Sequence, residues 1–246
     1  MAVRYNVSME HSLFSASAAE RWLACPGTIH LCKDIPDRKS AAAEEGSRLH
    51  TLAEHCLRND ADPKLGVLFQ GSAVTAEHVD WVQTYLDHVR SLGGQLLIEQ
   101  KINYATPLGL DHHLAFGTCD AVRLDGTHLH IIDAKFGRGP VSAMRNKQLT
   151  LYAVGFAHAL ESVGREISHV DLHIVQPRVT TQVQPYALTR SQLHSAVMPI
   201  RRGAQLAHDA LIHAGKMDAQ TWASRFLRRG EKQCRWCPAR GGCPAW

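Results

Sequence analysis

Long apolar runs are missing from this sequence. Nowhere in its 246 residues do about 18 consecutive apolar residues occur, so no membrane-spanning helix is predicted. Residues 1–20 also lack the apolar core of a signal peptide, which argues against secretion and favours a cytoplasmic protein. Internal repeats and low-complexity linkers are missing too, which favours one folded domain over an array of modules.

A strong excess of charge of one sign is missing as well. The chain has 27 Lys and Arg against 23 Asp and Glu, with 16 His in addition. This balance permits binding to nucleic acid without requiring it. Seven cysteines, an odd count in a chain expected to be cytoplasmic, argue against a disulfide framework and favour metal binding or buried thiols.

Hydrophobic periodicity predicts helices first and a sheet afterwards. Apolar residues at helical spacing predict helices over about 41–58, 75–92 and 146–163, the first of them capped by Ser40. Alternating residues predict strands over about 95–102, 116–124, 128–135, 169–176 and 181–187. Capping boxes at Ser17/Glu20 and Thr189/Gln192 predict two more helix starts. The order of elements predicts an α/β domain.

Two acids and a lysine stand out in the predicted hairpin around Asp125-Gly126. A two-residue turn there places Asp120 opposite Ile131, and puts Asp120, Asp133 and Lys135 on one face. The two acids are then diagonal neighbours with Cα atoms roughly 7–8 Å apart. Carboxylates at this range can bind one hard cation, Mg²⁺ or Mn²⁺, and an ammonium group beside them can orient an attacking water.

Plainer interpretations of the same residues stay open. Asp133 and Lys135 are also typical of a strand end that faces solvent, with Asp120 in a turn or an ion pair. Gln148 and Tyr152 lie one helical turn apart, and are equally typical of a polar helix edge. Glu99 is a third candidate acid on the strand before the hairpin.

The cysteines near the end of the chain give a stronger signal. Cys234, Cys237 and Cys243 form the pattern C-x₂-C-x₅-C, which is typical of metal ligands in a cytosolic protein. A closed four-sulfur site needs one more ligand, and Cys25 shares the Cys-Pro signature of the tail. Cys32, Cys56 and Cys119 are interpreted as buried thiols. Spacing alone does not separate zinc from an iron–sulfur cluster.

Taken together, these motifs resemble the PD-(D/E)xK nuclease superfamily in its RecB-like branch. The residues that match are Gly46-x₃-His50, Gly117-Thr118-x-Asp120, Ile132-Asp133-x-Lys135 and Gln148-x₃-Tyr152. The end cysteines resemble the iron–sulfur staple of the AddB helicase-nuclease and of CRISPR-associated spacer-acquisition nucleases. Phage and prophage RecB-like nucleases share the pattern from Ser15 to Gly27 and the segment Val175-Gln176-Pro177-Arg178. The resemblance covers nearly the whole chain.

The resemblance implies a fold and a set of site residues. The fold is restriction-endonuclease-like, a central mixed sheet flanked by helices in one domain over residues 1–246, with a catalytic core over about 95–190. Helices at 15–60 and the tail at 225–246 would be joined by the cluster. The implied ligands of Mg²⁺ or Mn²⁺ are His50, Asp120, Asp133 and the Ala134 carbonyl. Lys135 would be the catalytic lysine, while Gln148 and Tyr152 would position DNA. The implied ligands of [4Fe–4S], with Zn²⁺ as the alternative, are Cys25, Cys234, Cys237 and Cys243.

We therefore expect a metal-dependent DNA exonuclease that acts on single strands or duplex ends in phage recombination or DNA-end processing. A phage single-strand annealing or binding protein is an expected partner. One alternative is a non-catalytic DNA-binding module with a structural metal–cysteine site, and another is a zinc protein that never meets DNA. Phosphate contacts are also expected from basic residues of the tail, or else these form a solvated helix face: Arg225, Arg228, Arg229, Lys232 and Arg235.

Overall fold

The computed structural model describes residues 12–36 and 40–246, which form two compact units. The first unit holds residues 12–35, 103–117 and 199–246, and the second holds 36, 40–102 and 118–198. The polar start of the chain up to residue 11 and the predicted loop at Asp37 lie outside the described residues. Within the described ranges, no helix is both long and apolar enough to span a membrane.

The elements follow the predicted order. The helices are α1 (Ala19–Ala24), α2 (Thr28–Cys32), α3 (Ala41–Arg58), α4 (Ala76–Ser91), α5 (Ala105–Leu108), α6 (Lys147–Glu161), α7 (Arg190–His213), α8 (Ala219–Phe226) and α9 (Glu231–Arg235). The strands are β1 (Leu68–Phe69), β2 (Ser72–Ala73), β3 (Gln95–Asn103), β4 (Phe116–Asp125), β5 (His128–Ala134), β6 (His169–Val175) and β7 (Tyr186–Thr189). Short 3₁₀ turns lie at Ala16–Ala18 and Arg240–Gly242.

One mixed sheet organises the second unit. Its strand order is β3-β4-β5-β6-β7. β4 and β5 pair antiparallel, β5 and β6 parallel, and β6 and β7 antiparallel. A parallel pair needs a crossover connection, which α6 supplies. The expected α/β fold with a mixed central sheet flanked by helices is confirmed.

Helices cover both faces of this sheet. Residues of α3 and α4 share a buried cluster with Ala121 and with Ile132 and Ala134 of β5. α6 packs against β5 and β6, and its Gln148 contacts Asp133, which points to the opposite side from Ile132. Every residue of α6 from 149 to 157 is buried, as is typical of a helix enclosed on all sides.

Local capping explains where several helices begin. The Ser40 hydroxyl accepts a hydrogen bond from Ala43 N–H (3.2 Å), as predicted for the start of α3. Thr189 and Gln192 exchange the two hydrogen bonds of the predicted capping box at the start of α7. Gly94 lies between α4 and β3 and adopts a φ of +83°. A Cβ atom at this position would lie 2.4 Å from the Leu124 carbonyl oxygen. Only glycine fits this position.

Tertiary packing overrides the predicted capping box at Ser17. The chain enters a 3₁₀ turn at Ala16 and α1 then begins at Ala19, with no side-chain cap. Trp22 is buried against the Phe14 ring (5.5 Å between centroids) and donates its indole N–H to the Ser15 carbonyl (3.1 Å). Burial of two aromatic side chains outweighs one exposed cap, so the predicted start is wrong.

The last predicted strand is displaced along the chain. β7 occupies Tyr186–Thr189 rather than 181–187, because its ladder with β6 pairs Leu172 with Tyr186 and Val170 with Leu188. Leu188 is buried in this register. Alternation in the sequence allows either placement, and the long-range pairing with β6 selects one.

Candidate active site

The hairpin register differs from the prediction by two residues. Leu124 pairs with Leu129 and Asp125 with His128, so the turn is Gly126-Thr127 rather than Asp125-Gly126. Gly126 adopts φ +58°, which favours glycine in the turn. The ladder ends at the pair Ala121–Ile132, and the next positions along the strands are Asp120 and Asp133. A shift of two preserves which face each side chain occupies, so the acids still share a face.

Asp133 lies at the centre of a buried polar network. Its side chain is 3% exposed and lies 2.6 Å, Oδ2 to Nζ, from Lys135. Oδ1 accepts a hydrogen bond from Gln148 Nε2 (2.8 Å), and Gln148 Oε1 accepts one from Lys135 Nζ (3.1 Å). Gln148 Nε2 also lies 3.4 Å from the Tyr152 hydroxyl. The structure therefore brings together four of the residues predicted from the strand and helix patterns.

Oδ2 of Asp133 depends on Lys135 alone. Among the described residues, this buried oxygen has the Lys135 ammonium at 2.6 Å and no well-aligned hydrogen bond from any other donor. The contact with Lys135 is thus an ion pair that balances the charge of the carboxylate and leaves Oδ2 without a second partner. A buried carboxylate oxygen in this state is suited to a cation.

Asp120 closes the end of the β4–β5 ladder. Its Oδ2 accepts a hydrogen bond from Ala134 N–H (2.7 Å) and lies 3.4 Å from His50 Nδ1. Burial and the neighbouring Asp133 raise the pKa of Asp120 well above its ordinary value. Burial lowers the pKa of His50, so this imidazole is neutral at pH 7 and able to act as a ligand.

The predicted ligands lie near one another but do not converge on a point. In the parts of the chain that the structure describes, His50, Asp120 and Asp133 do not form a set of ligand atoms within 4.8 Å of one another. Asp120 is turned to the Ala134 amide, while Asp133 is turned to Lys135 and Gln148. A cation held between the two acids would therefore require their side chains to rotate.

Glu99 faces the same acids from β3. It adopts φ +46° within the strand, a left-handed conformation that costs a non-glycine residue about 1–2 kcal/mol. Burial and then the Glu54 carboxylate raise the pKa of Glu99 from 4.5 to about 7, and Asp133 adds to the shift. Such strain in a residue next to perturbed acids is typical of functional sites.

Replacing Glu99 by glutamine is expected to stabilise the metal-free protein at pH 8 more than at pH 5. The folded protein binds the proton of the Glu99 carboxyl group more tightly than the unfolded chain does. The protonated carboxyl group therefore stabilises the fold fully below pH 4.5, and this stabilisation is lost as the pH rises to about 7. Glutamine stays neutral at both pH values, so it avoids this loss of stability, which is about 1 kcal/mol after allowance for partial solvent screening. Urea unfolding in EDTA at both pH values measures the difference.

Glu166→Gln, at an exposed position outside the helices and strands, is the matched control for this measurement and should not reproduce the pH-dependent gain of Glu99→Gln. If Glu99→Gln gives the same change at pH 5 and pH 8, the carboxyl group does not titrate as described.

The segment Val175-Gln176-Pro177-Arg178 supports the site from the next strand. The Gln176 amide donates hydrogen bonds to the carbonyls of Gly137 (3.1 Å) and Gly139 (2.7 Å) and accepts one from Val141 N–H (2.9 Å). This side chain therefore holds the loop that follows Lys135. Arg178 donates to the Phe136 carbonyl (3.1 Å) and pairs with Glu45 (2.8 Å), which lies on α3.

The first unit brings the predicted cysteine ligands to one place. Cys25, Cys234, Cys237 and Cys243 all line an open chamber of about 380 Å³, a volume that includes its solvent-filled mouth. We call this the cysteine chamber. Cys25 Sγ accepts a hydrogen bond from Arg228 N–H (3.2 Å). Burial raises the pKa of the Cys25 thiol, and the three other cysteines raise it further.

Cys32 departs from its interpretation as a buried thiol. Its side chain is partly exposed and its Sγ lies 3.9 Å from Cys237 Sγ, whereas Cys56 and Cys119 are buried as expected. Burial, followed by Cys237, raises the pKa of Cys32 to about 11. Cys32 does not line the cysteine chamber. It reaches Cys237 because α2 begins directly after the Cys25-Pro26-Gly27 segment, a proximity that spacing in the sequence does not reveal.

The basic residues of the tail have different surroundings. Arg228 donates hydrogen bonds to the carbonyls of Ser224, Arg225 and Leu227, so it caps the end of α8. The Arg235 guanidinium lies over the Trp236 ring (5.3 Å), which is 78% exposed. Arg228 therefore has a structural role, whereas the Arg235–Trp236 pair is open to solvent.

A second group of metal-type ligands lies on the sheet and was missed by the sequence analysis. His128, His130 and Asp171 each offer one ligand atom, and these atoms lie within 4.8 Å of one another. We call this group the histidine triad. The signal that reveals it is strand spacing: His128 and His130 alternate on β5, and Asp171 alternates with two more histidines on β6.

Comparisons with known proteins give a family and two loose structural likenesses. A family model described as a protein of unknown function (DUF2800) matches residues 11–246. A solved protein designated SSO0001 is 15% identical, with a TM-score of 0.44, over 92% of this chain and 85% of that one. A solved protein from Eubacterium rectale that carries the provisional name of an exonuclease is 10% identical, with a TM-score of 0.47, over 94% of this chain and 95% of that one. At these scores neither protein's activity transfers to this chain.

Proposed function

Because this chain belongs to the DUF2800 family of proteins of unknown function, we propose its function from the site itself: metal-dependent hydrolysis of phosphodiester bonds in DNA. The observation that carries the proposal is the Asp133 carboxylate, which is buried in the sheet and paired at Oδ2 with Lys135 alone. Burying such a group costs several kcal/mol, which a protein core does not require. A catalytic role accounts for that cost.

The donor set fits a hard cation. Asp120 and Asp133 offer carboxylate oxygens and His50 a neutral imidazole, which suits Mg²⁺ or Mn²⁺, and the Ala134 carbonyl is the remaining proposed ligand. Such an ion, when bound, lowers the pKa of a ligated water and offsets charge on the phosphate. Burial and then the neighbouring Asp133 raise the pKa of Asp120, and a cation between the two carboxylates would offset both effects.

Gln148 fixes the position of the proposed catalytic lysine. Its amide donates to Asp133 and accepts from Lys135, so both groups are oriented by one side chain. Lys135 keeps its ammonium next to the acid pair, where it stabilises negative charge that develops on a phosphate. The Tyr152 hydroxyl, next to the Gln148 amide, belongs to the same network.

The loop after Lys135 offers a surface for the DNA backbone. The Gln176 amide holds this loop in place by hydrogen bonds to the carbonyls of Gly137 and Gly139. Arg138 and Arg145 are exposed on this loop, as are the apolar side chains of Val141 and Met144. Arginine at a solvent-exposed loop is suited to phosphate contacts, and the apolar side chains are suited to contact with bases.

Incubation with 5′- and 3′-labelled single-stranded and duplex DNA tests the proposal. In Mn²⁺ or Mg²⁺ we expect degradation from the ends, with closed circular DNA left intact, and EDTA should abolish it. Which label is released first identifies the polarity. Failure to degrade any of these substrates with any divalent ion would overturn the proposal.

One observation favours a second function, a DNA-binding module without catalysis. Lys135 already neutralises Asp133, and the described ligand atoms of His50, Asp120 and Asp133 do not converge within 4.8 Å. A carboxylate whose charge is already balanced by an ammonium group does not need a metal for charge balance. Tight DNA binding in EDTA, together with no cleavage in any divalent ion, would favour this alternative.

We also propose that the cysteine chamber holds a [4Fe–4S] cluster through Cys25, Cys234, Cys237 and Cys243. Tetrahedral zinc keeps its sulfurs about 3.8 Å apart. Cys32 and Cys237 come this close as a pair (3.9 Å), yet among residues 12–36 and 40–246 no three cysteine sulfurs lie within 4.8 Å of one another. The wider spacing across an open chamber fits a larger cluster better than a single ion.

Two further contacts support a cluster in this chamber. The Arg228 N–H donates to Cys25 Sγ, and hydrogen bonds to ligand sulfurs are among the features that tune iron–sulfur centres. Burial and then the three other cysteines of the chamber raise the pKa of Cys25, so a cationic centre would favour the thiolate form that ligation requires. Anaerobic purification should give a brown protein with about four iron atoms per chain. A colourless protein with stoichiometric zinc would overturn this assignment.

The family resemblance extends the proposal to the setting of the reaction. It favours an exonuclease of phage or prophage origin that acts in the cytoplasm of the bacterial host during recombination or DNA-end processing. DNA ends would be the substrate, and a single-strand annealing or binding protein the partner. Co-purification of such a protein with tagged enzyme from phage-induced cells tests this part of the proposal independently.

A further inference from the structure

A cluster of imidazoles lies on the face of β5 opposite to Asp133. His128 and His130 alternate along β5, so their side chains point to the side of the sheet away from the proposed nuclease site. β6 runs parallel to β5, with His130 paired to Asp171. The short distance between strands therefore brings one carboxylate to two imidazoles.

The contacts within the histidine triad are close but poorly suited to hydrogen bonding. His128 Nε2 lies 3.1 Å from Asp171 Oδ2, and His130 Nδ1 lies 3.7 Å from the same oxygen. His128 Nε2 is nevertheless enclosed without a hydrogen-bond partner among the described residues. His128 Nε2 thus lies beside a carboxylate oxygen without the alignment of a hydrogen bond, which places a ligand-type nitrogen next to a ligand-type oxygen.

Two more imidazoles lie beside the triad. His173 Nε2 lies 3.2 Å from His130 Nδ1, and His173 Nδ1 lies 3.0 Å from His88 Nε2 on α4. The His128 and His130 rings stack with centroids 4.2 Å apart. Because His130 Nδ1 faces both His173 and Asp171, the contact with His173 limits the rotation of the His130 ring beside the carboxylate.

We propose that His128, His130 and Asp171 form a second metal site, one that binds a late first-row transition ion such as Zn²⁺ or Co²⁺. Two neutral imidazoles and one carboxylate are ligands of this class of ion, unlike the oxygen-rich set that Mg²⁺ requires. Three protein ligands leave coordination positions for water or another small ligand. The His128 side chain is 40% exposed although its Nε2 is enclosed, so the triad lies close to the surface. Metal bound there ties the first residues of β5 to β6.

Co²⁺ titration of the full-length chain, with the cluster or zinc of the cysteine chamber already in place, tests this site. Visible d–d absorption reports Co²⁺ bound to nitrogen and oxygen, whereas a sulfur-to-cobalt charge-transfer band would reveal binding to the cysteines. The wild-type protein should bind one more Co²⁺ per chain than either His128→Gln or Asp171→Asn. Each substitution should weaken this binding by more than about 100-fold.

His169→Gln is the matched control, because His169 is paired with His128 on the same face of the sheet but lies outside the triad. It should bind Co²⁺ as the wild-type protein does. Co²⁺ should also raise the Tm of the wild type and of His169→Gln but not of His128→Gln. Equal Co²⁺ binding by all four proteins, or a d–d spectrum as intense in Asp171→Asn as in the wild type, would overturn the proposal. DNA hydrolysis in Mg²⁺ does not depend on the triad, so the two proposals fail separately.

Discussion

Replacing Lys135 by methionine is expected to lower the rate of Mn²⁺-dependent DNA hydrolysis by about 10²–10³-fold. The ammonium lies 2.6 Å from Asp133 and donates to Gln148, so it is held where a phosphate would develop charge. Methionine keeps an unbranched side chain of similar length and removes the ammonium group, with its charge and its hydrogen bond to Gln148. Single-turnover degradation of end-labelled DNA, with protein in excess, measures the loss without interference from product release.

Stability separates catalysis from folding in this experiment. Lys135→Met leaves a nearly buried carboxylate without a cation, which costs about 3–5 kcal/mol. In the double variant Asp133→Asn/Lys135→Met both charges are absent, so we expect most of that stability to return while activity stays lost. Chemical unfolding of the single and double variants tests this pattern.

Lys64→Met is the matched control, because Lys64 is exposed on the same unit of the chain. It should retain wild-type activity and stability. If Lys135→Met is folded and degrades DNA at the wild-type rate, the proposed role of Lys135 is wrong. If the double variant also cleaves normally, the Asp133 site is not the nuclease site.

Replacing Cys25 by serine is expected to reduce the iron content from about four atoms per chain to fewer than about one. Cys25 lines the cysteine chamber, and its Sγ accepts a hydrogen bond from Arg228 N–H. Cys32 does not line the chamber and contacts only Cys237, one of the lining residues. Because the proposed cluster would join sequence-distant segments of the first unit, its loss should also lower Tm by at least about 5 °C. Iron analysis, visible absorption and thermal unfolding of anaerobically purified protein measure the three effects.

Cys32→Ser provides the matched comparison, since both cysteines belong to the N-terminal part of the same unit. It should keep its iron and its colour. The reverse result, with iron lost in Cys32→Ser and kept in Cys25→Ser, would make Cys32 the fourth ligand. Full iron content in both variants would contradict a cluster held by either residue.

The sequence predicted those features that depend on neighbours along the chain. Ser40 caps α3 as expected because a hydroxyl satisfies an amide three residues away. The alternation of β4 and β5 placed Asp120 and Asp133 on one face, and this survived an error of two residues in the register. The helical spacing of Gln148 and Tyr152 likewise gave their contact.

Other features depend on segments far apart in the sequence, and local pattern carried no information on them. The Ser17 cap failed because burial of Phe14 and Trp22 sets the start of α1. β7 lies later than predicted because its pairing with β6 decides the register. Only the fold shows that Cys32 reaches Cys237.

The sequence by itself thus determined the α/β fold class, the acids and lysine of the hairpin, and the cysteines of the tail, because periodicity, turn chemistry and ligand spacing act over a few residues. The tertiary structure decided which groups meet. It paired Asp133 with both Lys135 and Gln148, opened a chamber among four cysteines, and set Asp171 beside His128 and His130. These contacts arise from strand pairing and helix packing, which bring together residues that are distant along the chain.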